Sequence, residues 1–138
     1  MEDSTISTQS ALVHLMVLVS ASDREMSDSE LMTMGGIIQT MPVFAGYDRD
    51  KLVVDAETCA EILEAEEGLE AVLGLVKEAL PEGYEDTAYA IACDVAVADS
   101  HLSQEELRLL EIIRHELGVD RLTAAAIERG AVARHRSL

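Results

Sequence analysis

The nine residues from Ala11 to Val19 include one polar side chain, His14. Ala11, Leu12, Leu15, Met16 and Val19 recur at helical spacing, while Val13, Val17 and Leu18 fill the other faces. A helix apolar almost all round has no side to give to water, so other elements must enclose it. A second stretch of this kind runs through Ala88, Ile91, Ala92, Val95 and Ala98. Two such helices predict a bundle with both near its centre, the most buried segments being about 11–22 and 85–99.

Composition points the same way. Apolar residues make up 49% of the chain but aromatics only 3%, so aliphatic side chains and Met must fill the core. Two prolines and few β-branched runs argue against a sandwich or barrel. We expect an all-α, single-domain helical bundle of about seven helices over residues 1–138, with 1–9 a flexible N-terminus.

Between the two apolar helices the signals are amphipathic. Ser27 has N-cap chemistry with Glu30 three residues on, and Leu31, Met34, Ile37 and Ile38 form an apolar stripe that ends near Met41, before Pro42. Gly46 to Lys51 reads as a polar turn, and Ala56 to Glu66 and Leu69 to Leu80 as helices flanking Gly68. After Pro81-Glu82-Gly83 and the second apolar helix, Ser103 and Glu106 form another capping box. Its helix runs to Leu117, with Gly118 in the C′ position, and a last helical segment spans about 120–136.

Sliding the chain on itself by 76 positions matches Val19/Val95, Asp23/Asp99, Ser27/Ser103, Glu30/Glu106, Leu31/Leu107 and Ile37/Ile113. Three of these six pairs are the polar residues of one pattern, D-x-x-[ML]-S-x-x-E, set between an apolar helix and an amphipathic one. We read an internal helix-loop-helix duplication, with units of about 11–41 and 85–117 related by a pseudo-twofold axis.

In each copy the Asp closes one helix and the Glu opens the next. A carboxylate at a helix C-terminus faces the negative end of the dipole, at a cost of roughly 0.3–1 kcal/mol unless something positive compensates. A divalent cation would do so, and hard cations take oxygen ligands. Asp99, Glu106, Asp23 and Glu30 are therefore the candidate metal ligands, with Ca²⁺ or Mg²⁺ favoured over Zn²⁺ because the loops lack thiolates. The alternative is that Ser27–Glu30 and Ser103–Glu106 are capping boxes and the two aspartates solvated turn residues. The spacing is not that of an EF-hand loop. Asp94, on the apolar helix where its counterpart is Leu18, needs a partner or a metal if buried. His101 is a possible neighbour of the second site. Glu111 and His115 read as a surface pair, and Glu64, Glu66, Glu67 and Glu70 as a solvated face.

Net charge is -17, which disfavours nucleic acid and anionic lipid surfaces. The first 107 residues hold 23 acids and 4 bases, while residues 108–138 hold 4 acids and 6 bases. The tail either docks on the acidic body or ends as a solvated helix whose Arg134, His135 and Arg136 suit the negative end of the dipole. The apolar runs are too short to span a bilayer and acids replace the basic start of a signal peptide, so a cytoplasmic location without membrane insertion is expected. Cys59 and Cys93 lack CxxC spacing and read as buried, reduced thiols. With no nucleophile elbow, P-loop or dinucleotide fingerprint, an enzyme is not expected. A carboxylate-metal hydrolase ranks below two other readings: a non-enzymatic metal-binding protein, and a metal-independent acidic adaptor for a basic partner segment.

Val17 to Leu31 (VLVSASDREMSDSEL) and Cys93 to Leu107 (CDVAVADSHLSQEEL) resemble the TerB family of tellurite-resistance proteins. The resemblance covers about Ala11 to Leu117, and the tail Leu122 to Arg136 is similar to that of stand-alone bacterial members. It implies an all-helical cytoplasmic domain that binds divalent metal at its acidic loops, in tellurite or wider stress response, beside a membrane-embedded protein partner. Carried over, the ligands are Asp23, Glu30, Asp99 and Glu106. Arg24 and Ser100 stand where the family usually has Gly after the Asp. Arg24 beside Asp23 suggests an intramolecular salt bridge in the first loop and leaves the second as the better site.

Overall fold

The computed structural model describes residues 6–20, 27–98 and 102–138. Among these, seven α-helices and one 3₁₀ turn form an all-α bundle without strands. The helices are α1 (Thr8–Ser20), α2 (Asp28–Thr40), α3 (Lys51–Leu63), α4 (Gly68–Ala79), α5 (Glu85–Ala98), α6 (Gln104–Leu117) and α7 (Arg121–Arg134), with the 3₁₀ turn at Pro42–Phe44.

Every residue of α1 from Ser10 to Val19 is buried, and α5 buries Ala88, Tyr89 and Ile91 to Ala96. The two helices pack on each other, α1 also meeting α3 and α4, and α5 meeting α6 and α7. The other helices bury one stripe each, as Val72, Leu73 and Val76 do on α4 and Leu110, Ile113 and Leu117 on α6. One core results, and it contains both cysteines as free thiols.

Hydrogen bonds fix the direction of the two central helices. Thr8 Oγ1 donates to the Ala79 carbonyl at 2.8 Å, which ties the start of α1 to the end of α4. Gln9 Nε2 donates to the carbonyls of Val43 and Ala45, so the end of α2 returns to the same place. From Ala79 the chain needs only the turn closed by Tyr84 N–H to the Pro81 carbonyl before α5 begins. Helices α1 and α5 thus start from one end of the bundle. Each is about 20 Å long at 1.5 Å per residue. Their C-termini, and the starts of α2 and α6, lie toward the other end.

Several boundaries differ from the sequence expectation. Helix α3 begins at Lys51, five residues before Ala56, because Leu52, Ala56 and Cys59 share its buried stripe and Val53 and Val54 face outward. The β-branched pair concealed the helical spacing. Residues 8 and 9, expected in a flexible terminus, belong to α1 and carry the end-to-end hydrogen bonds above. Gly118 adopts φ 74° as the C′ expectation requires. Its N–H reaches the His115 carbonyl and that of Val119 the Arg114 carbonyl, the Schellman pattern. Helix α7 starts at Arg121 after Asp120.

Gly68 opens α4 where a Cβ would lie 2.4 Å from the Ile62 carbonyl oxygen, whereas a Cβ at Gly74 in mid-helix meets nothing within 4 Å. Gly68→Ala should therefore lower unfolding free energy by about 1–3 kcal/mol. Gly74→Ala should raise it by about 0.5–1 kcal/mol through helix propensity and lost chain entropy. Urea denaturation of the two variants checks both signs.

Candidate functional site

The two S-x-x-E helix starts form the same local structure. Ser27 sits at φ -75°, ψ 160° and Ser103 at φ -78°, ψ 163°, extended conformations that turn each hydroxyl back over the first turn. Ser27 Oγ accepts the Glu30 N–H at 3.1 Å, and Glu30 Oε1 accepts the Ser27 N–H at 2.8 Å. At the second junction Ser103 Oγ accepts the Glu106 N–H at 3.1 Å, and Glu106 Oε1 the Ser103 N–H at 2.9 Å. The capping expectation holds at both, and acids in the first turns of α2 and α6 suit the positive dipole ends.

Because α1 and α5 start from the same end, the two boxes open at the same end of the bundle. Asp23 and Asp99, like Arg24, Ser100 and His101, lie outside the described residues. Of the four sequence-predicted ligands the structure therefore describes Glu30 and Glu106, each with one carboxylate oxygen committed to its cap amide. Among the described residues no group of three or more His, Cys, Asp or Glu is placed to hold a metal. The described carboxylates at the junctions, Glu30 and Glu106, offer oxygen, which suits a hard cation, but the described part does not hold one alone.

Asp94 has a protein partner. Its side chain is 11% exposed on α5, and its Oδ1 accepts a hydrogen bond from Arg134 Nη2 at 2.6 Å. His135 Nε2 lies 3.4 Å from the same oxygen. Helix α7 lies along α5 with Ala124 and Ala131 buried, so the basic tail docks on the body. The sequence alone leaves Asp94 needing a partner or a metal and the tail free to dock on the acidic body, without pairing the two. The signal that joins them was present: an unmatched acid on an apolar helix and a surplus of arginine in the last helix. Beside the pair, Thr33, Gly36, Ile37 and Thr40 of α2 line a cleft of about 670 Å³.

Two further polar ties were not legible in the sequence. Asp55 Oδ2 accepts from Ser10 Oγ at 3.0 Å and from Tyr47 Oη at 2.7 Å, which joins α1, α3 and the loop between α2 and α3. Tyr89 Oη donates to Glu128 Oε2 at 2.5 Å, a second polar tie between α5 and α7. Burial, then the bonded carboxylate, raises the phenol pKa of both tyrosines. His14 Nδ1 faces the Ser10 carbonyl at 2.8 Å, so it must donate, and Nε2 has no hydrogen-bond partner among the described residues. His115 Nε2 meets Arg114 Nη2 at 3.2 Å and does not pair with Glu111. Glu64, Glu66, Glu67 and Glu70 are exposed, as expected.

Burial pushes the thiols of Cys59 and Cys93 up to about 12, away from the thiolate that nucleophilic or reductive chemistry needs. The described helices include none long and apolar enough to cross a membrane.

A family model described as "Tellurite resistance protein TerB" matches residues 9–129, most of the chain. Neither a curated protein nor a solved structure matches it.

The Asp94 pair is unequal in exposure, its arginine side chain being 57% exposed. Arg134→Ala strands a buried carboxylate and should cost about 1–3 kcal/mol. Asp94→Leu releases the arginine into water and should cost less, the reverse of a symmetric salt bridge; chemical denaturation of both variants measures the difference. The raised thiol pKa values carry a pH signature. Their contribution to stability is complete below the unfolded value of about 9 and is lost as pH rises toward about 12. The melting midpoint should fall across that window, and less steeply in Cys59→Ala.

Proposed function

The chain belongs to the TerB family, and on that premise we propose that it is a non-enzymatic, divalent-cation-binding cytoplasmic protein of a tellurite-resistance-like stress response. It acts with a membrane-associated protein partner. The cation reading is supported by the two matching capping boxes and by the aspartate repeated four residues before each. Capping requires Ser and Glu but not the aspartates of the repeated pattern, so Asp23 and Asp99 are the residues left for another role. Their carboxylates, with the second oxygens of Glu30 and Glu106, make an oxygen-only donor set for Ca²⁺ or Mg²⁺ before Zn²⁺. The bound cation would relieve repulsion among these acids in a chain of net charge -17.

The role does not pass through the cysteines, because both thiols are buried and held protonated at neutral pH. Nor does it need Asp94 as a ligand, since Arg134 already answers that charge. One observation favours a second reading. The geometry of Glu30 and Glu106 is accounted for by capping alone, as it would be in a metal-independent acidic adaptor for a basic partner segment.

Thermal melting with and without Ca²⁺ or Mg²⁺ separates the two. At a hundredfold excess over the dissociation constant a bound cation stabilises the native state by about 2.7 kcal/mol, a rise of roughly 5–15 °C for a domain of this size. Asp99→Asn should remove most of that rise and leave the metal-free helical content unchanged, because the Ser103–Glu106 box stays intact. A wild-type midpoint that does not move in millimolar cation assigns the protein to the adaptor reading.

A further inference from the structure

Helices α6 and α7 both pack on α5 and hardly on each other. The gap between them is a groove of about 400 Å³ with Tyr89 and Cys93 on its floor. Its walls are apolar. Leu110 and Ala131 are buried in them, while Leu102, Leu107 and Val132 reach the surface with 39%, 45% and 43% of their area exposed. Each of these three would gain by being covered, and they converge on one slot bounded by two helices.

The charges at the lips choose the occupant. Glu111 of α6 and Glu128 of α7 line the groove from opposite sides. Arg114, the one cation among the described residues of its lining, is drawn along α6, with Nη1 donating to the Val119 carbonyl at 3.0 Å and Nη2 beside His115. An apolar slot with a glutamate on each lip complements a helix with an apolar stripe flanked by Lys or Arg. We propose that the α5–α6–α7 groove is the docking site for a basic amphipathic helix of a partner protein, whose apolar side chains fill the slot between Leu107 and Val132. This rests on the partner reading above and gives it a location.

The test uses the full chain and a fluorescein-labelled 14-residue Leu/Lys amphipathic helix, with a scrambled isomer of equal charge, followed by fluorescence anisotropy. Leu107→Asp and Val132→Asp should each weaken binding by about tenfold or more, and the scrambled isomer should bind the wild type at least as poorly. Both substitutions add negative charge, so an attachment that were only electrostatic would tighten, opposite to the loss expected here. Val53→Asp, at an exposed position on α3, should leave affinity unchanged, and Glu111→Gln should weaken binding and flatten its salt dependence. Undiminished binding in Leu107→Asp and Val132→Asp overturns the groove but leaves a basic partner elsewhere on the acidic surface. Failure of both peptides to bind the wild type removes the groove and the basic partner together, while the cation reading is judged by its own melting experiment. A wild-type dimer in sedimentation that Leu107→Asp dissociates would show a second copy in the groove and overturns the proposal.

Discussion

Two helices without a polar face have to be enclosed, and the rest of this molecule follows from enclosing them. Helices α1 and α5 cannot be covered by one neighbour each, because Ser10 to Val19 and Ala88 to Ala96 present apolar side chains in nearly every direction. They cover each other on one side, α3 and α4 close over α1, and α6 and α7 close over α5. Full burial of a Leu, Ile or Val side chain is worth roughly 1.5–3 kcal/mol, and these two helices hold most of the largest fully buried ones. The turn after Pro81 and the bonds of Thr8 and Gln9 set both helices running from the same end. That direction sends the chain toward the opposite end of the bundle before each of the capping boxes of α2 and α6.

The polar groups inside this frame decide finer matters. Asp94 is buried on α5 among apolar residues, and its charge can be buried only with a cation beside it. Arg134 supplies one from the last turn of α7, which fixes where the C-terminal helix ends. Tyr89 and Glu128 make a second tie between the same helices. Because α7 is held on α5 by these bonds and by small residues such as Ala124 and Ala131, it does not close against α6. The groove between them follows from that spacing. Asp55, bonded by both Ser10 and Tyr47, similarly anchors the loop ahead of α3 to the first central helix.

Much of the fold was legible in the sequence because burial writes a strong period. The two central helices, the stripe of α2, the Schellman end at Gly118 and both capping boxes follow from spacing and cap chemistry that act within a few residues. What was not legible depends on contacts distant in sequence. Val53 and Val54 hid the start of α3, since only the placement of α1 shows that Leu52, Ala56 and Cys59 are the buried stripe. The pairing of Asp94 with Arg134 spans 40 residues; an unmatched acid and a surplus of arginine are visible in the sequence, but which arginine answers the acid is not. At the candidate site the sequence specified Ser27–Glu30 and Ser103–Glu106 as caps, and the structure forms both. The roles of Asp23 and Asp99 rest on their repetition in sequence, and both lie outside the described residues.

The central proposal is that the two S-x-x-E junctions lie at one end of the bundle and share the coordination of a hard divalent cation. Paramagnetic broadening by Mn²⁺, which takes the same oxygen ligands as Ca²⁺ and Mg²⁺, tests it directly in an amide-resolved NMR titration. The account predicts that the cap amides of Ser27 and Ser103 broaden together at the lowest Mn²⁺ additions, while the amides of Thr8 and Glu85, at the far ends of α1 and α5, stay sharp. Broadening spread over the exposed acids of α3 and α4, or confined to one of the two junctions, would contradict it.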